Sequence, residues 1–252
     1  MIESLNSPHV GRVKALISVK KERLDSKKFI AEGIQGVREA ILVNGAIDTL
    51  FLSPAGAERL QRAEVDYSQI NQIEVSDKVA EAMSDAMTSQ GIIAICNIKE
   101  RHISELNGKN IVYLSEIQDP GNAGTILRTA DAMGIDAIVT SPGSVDFYSP
   151  KVVRATAGSL WHTPIYTGIE IGDLAKLLPS HKLRILDGSS EKRIYDVDFN
   201  QPTIWIFGNE ARGIKEEING AERVSISMPG DAESLNLAAA AAIVMHEISR
   251  GS

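Results

Sequence analysis

Three polar loops follow one another in the second half of the chain: residues 119–134 read DPGNAGTILRTADAMG, residues 203–217 read TIWIFGNEARGIKEE, and residues 224–247 read VSISMPGDAESLNLAAAAAIVMHE. Each stretch leads from a strand-like or loop-like run, through a turn rich in Gly, Asn, Ser or Glu, into a helix-like segment. Proteins of the α/β class place their ligands at such loops, where strands end. The three stretches, called here the first, second and third motif loops, therefore predict one composite site.

Strand-like and helix-like patterns alternate around these loops. The predicted strands are residues 111–116, 136–140, 183–187, 203–208 and 224–228, and the predicted helices are residues 122–133, 150–158 and 235–250. This alternation is typical of an α/β fold in which a mostly parallel sheet is covered by helices on both faces.

A smaller α/β unit precedes this region. Residues 1–28 look helical, and residues 29–32, 48–53 and 91–98 read as strands. Ser76 is a plausible cap for a helix that follows it. The polar stretch 99–110 is the best linker candidate, so we expect two domains, residues 1–103 and 104–252.

The composition is that of a soluble globular protein, with 43% hydrophobic and 23% charged residues among 252. No apolar run approaches the roughly 20 residues that a membrane-spanning helix needs, and the start of the chain lacks the apolar core of a signal peptide. Cys96 stands alone, which excludes an internal disulfide and favours a buried structural thiol. These features predict a cytoplasmic protein that does not enter a membrane.

Basic residues are concentrated near the start of a chain whose formal net charge is −7. Residues 12–28 hold seven basic and two acidic side chains, a local charge of +5 that leaves −12 for the rest. Because charges are screened beyond about 10 Å, such a stretch can bind phosphates on an acidic protein. A solvated helix face is the alternative. The predicted RNA-binding side chains are Arg12, Lys20, Lys21, Arg23, Lys27 and Lys28.

The first motif loop opens a helix with one apolar stripe, and Arg128 points nearly opposite that stripe at 100° per residue. Asn122 stands where a side chain can cap the helix. A phosphate or a hydroxyl could bind at this helix start, with Arg128 as a fixed positive charge. An ordinary capped surface helix is the alternative.

The other two motif loops allow similar interpretations. Gly208 would let a ligand approach the backbone closely, and Glu210 could bind a hydroxyl or a cation. Ser234 or Asn236 could cap the final helix. Taken one at a time, each of these residues also fits an ordinary strand-to-helix turn.

Several standard motifs are absent from the sequence. There is no Walker loop, no G-x-G-x-x-G after residues 111–116, no H-E-x-x-H, no cysteine pair and no G-x-S-x-G. The histidines are scattered, so no metal site is predicted. A doubly wound nucleotide-binding enzyme remains an alternative that lacks its phosphate-cradling loop.

The motif loops, in their order, resemble the three motifs of the SpoU RNA ribose methyltransferases, which belong to the knotted SPOUT class. The resemblance covers roughly residues 110–250, and residues 154–165 resemble the stretch between that family's first two motifs. FIAEGIQGVREAI, residues 29–41, resembles the small substrate-binding domain fused to many members that act on ribosomal RNA.

This resemblance implies a deep trefoil knot in the second domain, S-adenosylmethionine as cofactor, and a homodimer packed through helices that include the final one. It also implies that the first domain holds RNA, with ribosomal RNA preferred to transfer RNA. The cofactor would contact Gly208, Met228 and Leu237, with Asn209 and the backbone around Ile206, Phe207 and Ser234 nearby.

The resemblance also suggests catalytic roles. Arg128 would stabilise the ribose oxyanion or grip a phosphate, because a guanidinium holds its proton too tightly to be a good general base. Asn122 and Asn236 would hold the ribose or Arg128, Glu210 would order the second motif loop, and Ser234 would also belong to the catalytic set. The main alternative is a non-catalytic RNA-binding or ribosome-assembly protein that keeps the same fold.

Overall fold

A computed structural model describes residues 1–214 and 217–251. The chain divides into two compact units, Met1–Glu100 with Asp146–Trp161, and Arg101–Val145 with His162–Ser252. These are units of packing, and the segment Asp146–Trp161 packs with the first although it interrupts the second in sequence. The division into functional domains after residue 103 stays a prediction.

Helices and strands follow one another along both units. The helices are α1 (Pro8–Ser18), α2 (Lys20–Ser26), α3 (Ile34–Leu42), α4 (Pro54–Arg62), α5 (Asp77–Met83), α6 (Pro120–Ala132), α7 (Pro150–Ala155), α8 (Ile171–Leu177) and α9 (Leu237–Arg250). The strands are β1 (Lys28–Glu32), β2 (Ile47–Leu52), β3 (Gln72–Glu74), β4 (Ile92–Asn97), β5 (Asn110–Leu114), β6 (Ala137–Thr140), β7 (Ile165–Tyr166), β8 (Lys182–Leu186), β9 (Thr203–Phe207) and β10 (Ala221–Val224). Short 3-10 helices cover Ile103–Glu105, Ser159–Trp161 and Ile194–Asp196.

The first unit is built on a four-stranded sheet in the order β1-β4-β2-β3. Both faces of the sheet are covered, because successive residues of β4 enter different hydrophobic clusters. Ile93 and Ile95 pack in the cluster that holds α1 and α5, whereas Ile92, Ala94 and Cys96 pack with α3 and α4. Burial raises the pKa of the Cys96 thiol, and Cys96 is a buried structural cysteine as the sequence predicts.

The segment Asp146–Trp161 is held on the first unit by specific contacts. Trp161 stacks on Phe29 with ring centroids 5.5 Å apart, and its Nε1 donates to the carbonyl oxygen of Gly36 at 3.0 Å. Nη1 of Arg154, in α7, lies 2.7 Å from a carboxylate oxygen of the nearly buried Glu32. The α/β alternation of the sequence assigned this helix to the second domain, and its packing assigns it to the first unit.

Arg23 lies inside the first unit, which corrects its predicted place on an RNA-binding surface. Its Nη1 donates to the carbonyl oxygens of Leu16 and Ile17 at 2.7 and 3.0 Å, at the end of α1. Its Nε and Nη2 each lie 2.8 Å from one carboxylate oxygen of Asp146. The residue is 5% exposed, so its charge is committed to the fold and is not presented to phosphate.

The second unit is built on a six-stranded parallel sheet in the order β10-β8-β9-β5-β6-β7. The predicted parallel α/β fold is confirmed. β5 and β9 are buried at every residue, as expected for strands covered on both faces. On one face Tyr113 and Ile206 pack with Leu174 of α8. The trefoil knot stays a prediction.

Several boundaries differ from those the sequence predicted. The final strand was expected at residues 224–228, but β10 ends at Val224, and Ser225 adds only a single bridge to Arg193. The short elements α4, β7 and α8 were not predicted. No helix within residues 1–214 and 217–251 is long and apolar enough to cross a membrane.

Candidate functional site

A cavity of about 810 Å³ opens at the carboxyl ends of the central strands of the second unit. It is lined by the last residues of β8 and β9, by the chain that follows β5 and β10, and by the first turns of α6 and α9. This volume is within the range of about 300–1,000 Å³ that small-molecule sites occupy. Loops from distant parts of the sequence meet here because parallel strands end at one edge of the sheet.

Most of the residues that the sequence singled out line this cavity: Asn122, Phe207, Gly208, Asn209, Glu210, Met228, Ser234, Asn236 and Leu237. Two of them do not. Ile206 is fully buried in β9 and packs on the opposite face of the sheet. Arg128 lies on α6 and is exposed, and its guanidinium makes no hydrogen bond or ion pair with any residue in the described part of the chain.

Side chains of the three motif loops join in one hydrogen-bond network. Nδ2 of Asn236 donates to Oδ1 of Asn122 at 3.0 Å. Nδ2 of Asn122 donates to Oε1 of Glu210 at 3.3 Å, and the same oxygen accepts from the backbone N–H of Asp119 at 3.4 Å. Each motif loop supplies at least one member, so the composite site predicted from the sequence has a direct physical link.

The helix caps explain why these amides are free to form the network. Asp119 is the N-cap of α6, and its carboxylate accepts from the backbone N–H of Asn122 at 2.7 Å. The expectation that Asn122 caps this helix was therefore wrong. Asn236 does cap α9, since its Oδ1 accepts from Ala238 N–H at 2.9 Å and Ala239 N–H at 3.3 Å. With its oxygen at the cap, Asn236 extends its NH₂ group to Asn122.

Asn209 fixes the shape of the second motif loop. Its Oδ1 accepts from the backbone N–H groups of Ala211 and Arg212 at 3.0 and 3.2 Å. Its Nδ2 donates to the carbonyl oxygen of Glu116, after β5, at 2.9 Å. An ion pair between Arg212 and Glu116 joins the same two loops. Asn209 is buried, so it acts as a brace that holds the loop over the cavity.

Gly208 is needed by the protein chain itself. A Cβ at this position would lie 2.4 Å from the carbonyl carbon of Gly213 and 2.7 Å from the backbone nitrogen of Ile214. The sequence suggested that this glycine makes room for a ligand. In the structure it makes room for the backbone of Gly213 and Ile214, which belong to the same loop.

The side chains that line the cavity carry a net negative charge. Asp119, Glu210 and Glu233 line it, and none of its described lining residues is a lysine, an arginine or a histidine. Next to the lining residue Gly188, the pKa of Asp187 is lowered, chiefly because its carboxylate accepts hydrogen bonds from Ser189 and also pairs with Arg223. A site of this sign suits a ligand that carries positive charge.

Sequence reasoning missed several lining residues: Gln118, Asp119, Leu186, Gly188, Ile226, Glu233, Leu235 and Ala240. Asp119 could have been found, because Asp followed by Pro is a strong signal for a helix start. The others line the cavity because of where strands end and how α9 is oriented, which no local pattern encodes.

The predicted RNA-binding cations differ in availability. Arg12, Lys20 and Lys21 are exposed on α1 and α2. Lys27 is paired with Glu100 at 2.7 Å, and Lys28 is paired with Asp48. The first three side chains are therefore the stronger candidates for contact with phosphates.

Two protein-family models match this chain, each over a different part of it. The model of the SpoU rRNA Methylase family matches residues 109–246, more than half of the chain. The model of the MRM3-like substrate binding domain matches residues 7–94. The cavity and the three motif loops, apart from residue 247, fall within the first match, and α1 to α5 fall within the second.

Individual relatives agree with this assignment. The chain is 28% identical to the 23S rRNA (guanosine(2553)-2'-O)-methyltransferase RlmP of Bacillus subtilis, over 98% of each protein. It is 34% identical to a 23S rRNA (uridine(2479)-2'-O)-methyltransferase of Streptomyces viridochromogenes, over 52% of this chain and 49% of the relative. An AdoMet-bound rRNA methyltransferase from Sinorhizobium meliloti shares the fold with a TM-score of 0.85 and 29% identity, covering 99% and 97% of the two chains. This chain belongs to the SpoU rRNA methylase family.

Proposed function

We propose that this protein transfers a methyl group from S-adenosylmethionine to a ribose 2'-hydroxyl of ribosomal RNA. One observation carries the proposal: the three motif loops of the methylase region meet at a single cavity, where Asn122, Glu210 and Asn236 are hydrogen-bonded to one another. The match of the first unit to a substrate-binding domain supports RNA as the substrate. RlmP, which matches along its full length, bears the name of a 23S rRNA methyltransferase.

The cavity fits this cofactor chemically. Phe207, Ile226 and Leu237 give it an apolar wall for an adenine ring, and the carboxylates of Glu210 and Glu233 suit a cation. When bound, S-adenosylmethionine supplies an activated methyl group on a positively charged sulfur. In this proposal Phe207, Gly208, Asn209, Met228, Ser234 and Leu237 hold the cofactor. The side chain of Ile206 faces the other side of the sheet, so its contribution is restricted to its backbone.

The residues of the chain would act mainly by positioning. Holding a reactive pair in line can remove about 7–11 kcal/mol of a barrier. Asn122 and Asn236 present amide groups at the mouth of the cavity, and Glu210 orients Asn122 through their hydrogen bond. Ser234 adds an exposed hydroxyl to the lining. Arg128 has no hydrogen-bond partner among the described residues, so its charge is free to stabilise the ribose oxyanion or an adjacent phosphate.

The proposed active form is a homodimer packed through helices of the second unit, the final one among them. α9 buries Ala241 and Val244 within its own chain, and α6 packs beside it. Ala239 remains exposed on α9, and Ala242 and Ile243 are only half-buried. A second copy could cover these small and apolar side chains. The similarity to a bacterial rRNA methyltransferase supports the cytoplasm as the proposed place of action.

A methylation assay tests the proposed function. The full chain is incubated with radiolabelled S-adenosylmethionine and with deproteinised ribosomal or transfer RNA from cells that lack the gene. We expect label in ribosomal RNA, recovered after digestion as one 2'-O-methylated nucleoside identified by mass spectrometry.

The same assay, combined with binding measurements, separates the alternative functions. Binding of RNA without methyl transfer, and without calorimetric binding of S-adenosylmethionine, would favour the non-catalytic RNA-binding protein. Binding of NAD or ATP in place of the methyl donor would favour a nucleotide-binding enzyme. Label confined to transfer RNA would keep the chemistry and overturn the preference for ribosomal RNA.

Reversing the charge of two exposed lysines tests where RNA binds. With Lys20→Glu and Lys21→Glu together, we expect weaker binding of ribosomal RNA and a flatter dependence of log affinity on log salt, by about one to two units of slope. The reason is that fewer counterions are released when fewer phosphates are neutralised. The measurement is filter binding across a series of salt concentrations.

A double variant with Lys78→Glu and Lys176→Glu has the same net charge and serves as control, since both lysines are exposed on other helices. An unchanged affinity and slope in the Lys20 and Lys21 variant would show that RNA docks on another surface.

A further inference from the structure

Met87 stands at the tip of the loop that joins α5 to β4, and its side chain is fully exposed. We call residues 84–91 the Met87 loop. No other large hydrophobic residue in the described part of the chain is more exposed than Met87. Its neighbour Ala86 is small, and Asp85, Thr88 and Ser89 are polar, so Met87 is the one large apolar side chain of the loop.

The start of this loop is tied to the body of the first unit. One carboxylate oxygen of Glu32 accepts from the hydroxyl of Ser84 at 2.8 Å and from the backbone N–H of Asp85 at 3.1 Å. Nη1 of Arg154 lies 2.8 Å from Asp85 and 2.7 Å from Glu32. Because the Glu32 side chain is only 7% exposed, these contacts anchor the start of the loop to a nearly buried carboxylate.

The end of the loop is tied just as closely. Oε1 of Gln90 accepts from the backbone N–H of Ile34 at 2.9 Å, and its carbonyl oxygen accepts from Arg59 at 2.9 Å. Gly91, with φ of +73°, approaches Ser53 so closely that a Cβ would lie 2.2 Å from the Ser53 hydroxyl oxygen. Both ends of the loop are therefore fixed, and Met87 is held away from the apolar core.

A fixed and isolated apolar side chain suits one kind of partner. A protein interface generally buries a cluster of apolar residues, which this tip does not offer. An unpaired RNA base presents flat apolar faces, and recognition of single-stranded RNA relies mainly on aromatic side chains and arginines that pack against such faces. The polarisable sulfur of methionine makes favourable contacts with aromatic rings. Arg59, which is exposed beside the loop, adds a positive charge for the RNA backbone.

We propose that the Met87 loop is a second RNA-contacting element of the first unit and that Met87 packs against an unpaired base. The inference rests on the proposed function, because it takes RNA to be the substrate. It supplements the cationic surface of Arg12, Lys20 and Lys21, where charge alone would bind phosphate without distinguishing folded from unpaired RNA. The two elements would divide the work, with lysines providing attraction and Met87 selecting a splayed base.

Substitution of Met87 tests this inference with little risk to the fold, because the side chain is fully exposed. We expect Met87→Ala to weaken binding of ribosomal RNA by about five- to tenfold, the low end of what loss of one base-packing contact costs. Met87→Leu, which keeps an apolar side chain, should bind within about twofold of the parent protein. The salt slope should stay unchanged, since no phosphate contact is removed.

Leu42→Ala is the matched control, because Leu42 is also an exposed hydrophobic residue of the first unit, at 75%. It should leave RNA affinity unchanged. Parent-like affinity in Met87→Ala, alongside weakened binding in the Lys20 and Lys21 variant, would overturn this inference and leave the proposed function intact. Failure of the unaltered protein to bind ribosomal RNA would instead overturn the proposed function. A change in oligomeric state on Met87→Ala would identify a protein contact and also overturn the inference.

Oxidation provides an independent readout. Dilute peroxide should convert Met87 to its sulfoxide rapidly in the free protein, as followed by peptide mass spectrometry. Saturating ribosomal RNA should slow this oxidation severalfold, whereas heparin, a polyanion without bases, should not. Equal oxidation rates with and without RNA would contradict contact at Met87.

Discussion

Replacing Arg128 with alanine is expected to lower the rate of methyl transfer by at least about a hundredfold, the usual effect of removing one group that stabilises a developing oxyanion. The affinity for S-adenosylmethionine should stay within a few-fold, because Arg128 does not line the cavity of its own chain. The guanidinium has no hydrogen-bond partner among the described residues, so the substitution breaks no contact seen within those residues.

The measurement pairs single-turnover transfer of label to ribosomal RNA with calorimetry of cofactor binding. Arg128→Lys separates two roles, since lysine keeps the charge and loses the planar fork that grips a phosphate through two bonds. Arg62→Ala, on the exposed face of α4, is a control for the loss of one surface arginine. An active Arg128→Ala enzyme would remove this residue from the mechanism.

Replacing Gly208 with alanine is expected to weaken binding of S-adenosylmethionine by about tenfold or more. The added Cβ would overlap backbone atoms of Gly213 and Ile214, which cannot rotate away as a flexible side chain can. Overpacking of this kind costs about 1–3 kcal/mol, and each 1.4 kcal/mol is a tenfold change in affinity. The second motif loop must open to relieve the overlap, and Asn209 then loses its brace on Glu116.

Calorimetry with the methyl donor measures this effect, and thermal unfolding checks that the variant is folded. Gly172→Ala is the matched control, because Gly172 lies in α8 and a Cβ there would meet nothing within 4 Å. Cofactor binding by Gly208→Ala as tight as that of the parent protein would show that binding does not require the close packing of residue 208 against Gly213 and Ile214.

The parallel sheet and the meeting of the motif loops were predictable from the sequence, because alternating strands and helices leave few arrangements and parallel strands end at one edge. The environment of single charges was not. Arg23 looks like any other cation in a basic stretch, and its partner Asp146 is 123 positions away. The cap of α6 was predictable at Asp119, although Asn122, three positions later, also fits the cap pattern. The cap is therefore a local feature, whereas the partner of Arg23 is fixed by the fold of the whole unit.

The placement of α7 also lay beyond local patterns. Its amphipathic sequence fits a crossover helix of the second sheet, which is where the alternation assigned it. The contacts that hold residues 150–161 on the first unit, Arg154 with Glu32 and Trp161 with Gly36, join residues 122 and 125 positions apart. No neighbouring residue in the sequence indicates such a pairing.

The segment Asp146–Trp161 has a consequence for how this architecture can be recombined. A chimera that transplanted the first unit by cutting after residue 103 would leave Trp161 behind and strip Phe29 of its stacking partner. The two units alternate along the sequence, so exchange between homologues that keeps both intact requires three crossovers, after residues 100, 145 and 161. We therefore expect related proteins to have inherited the first unit and the segment Asp146–Trp161 together.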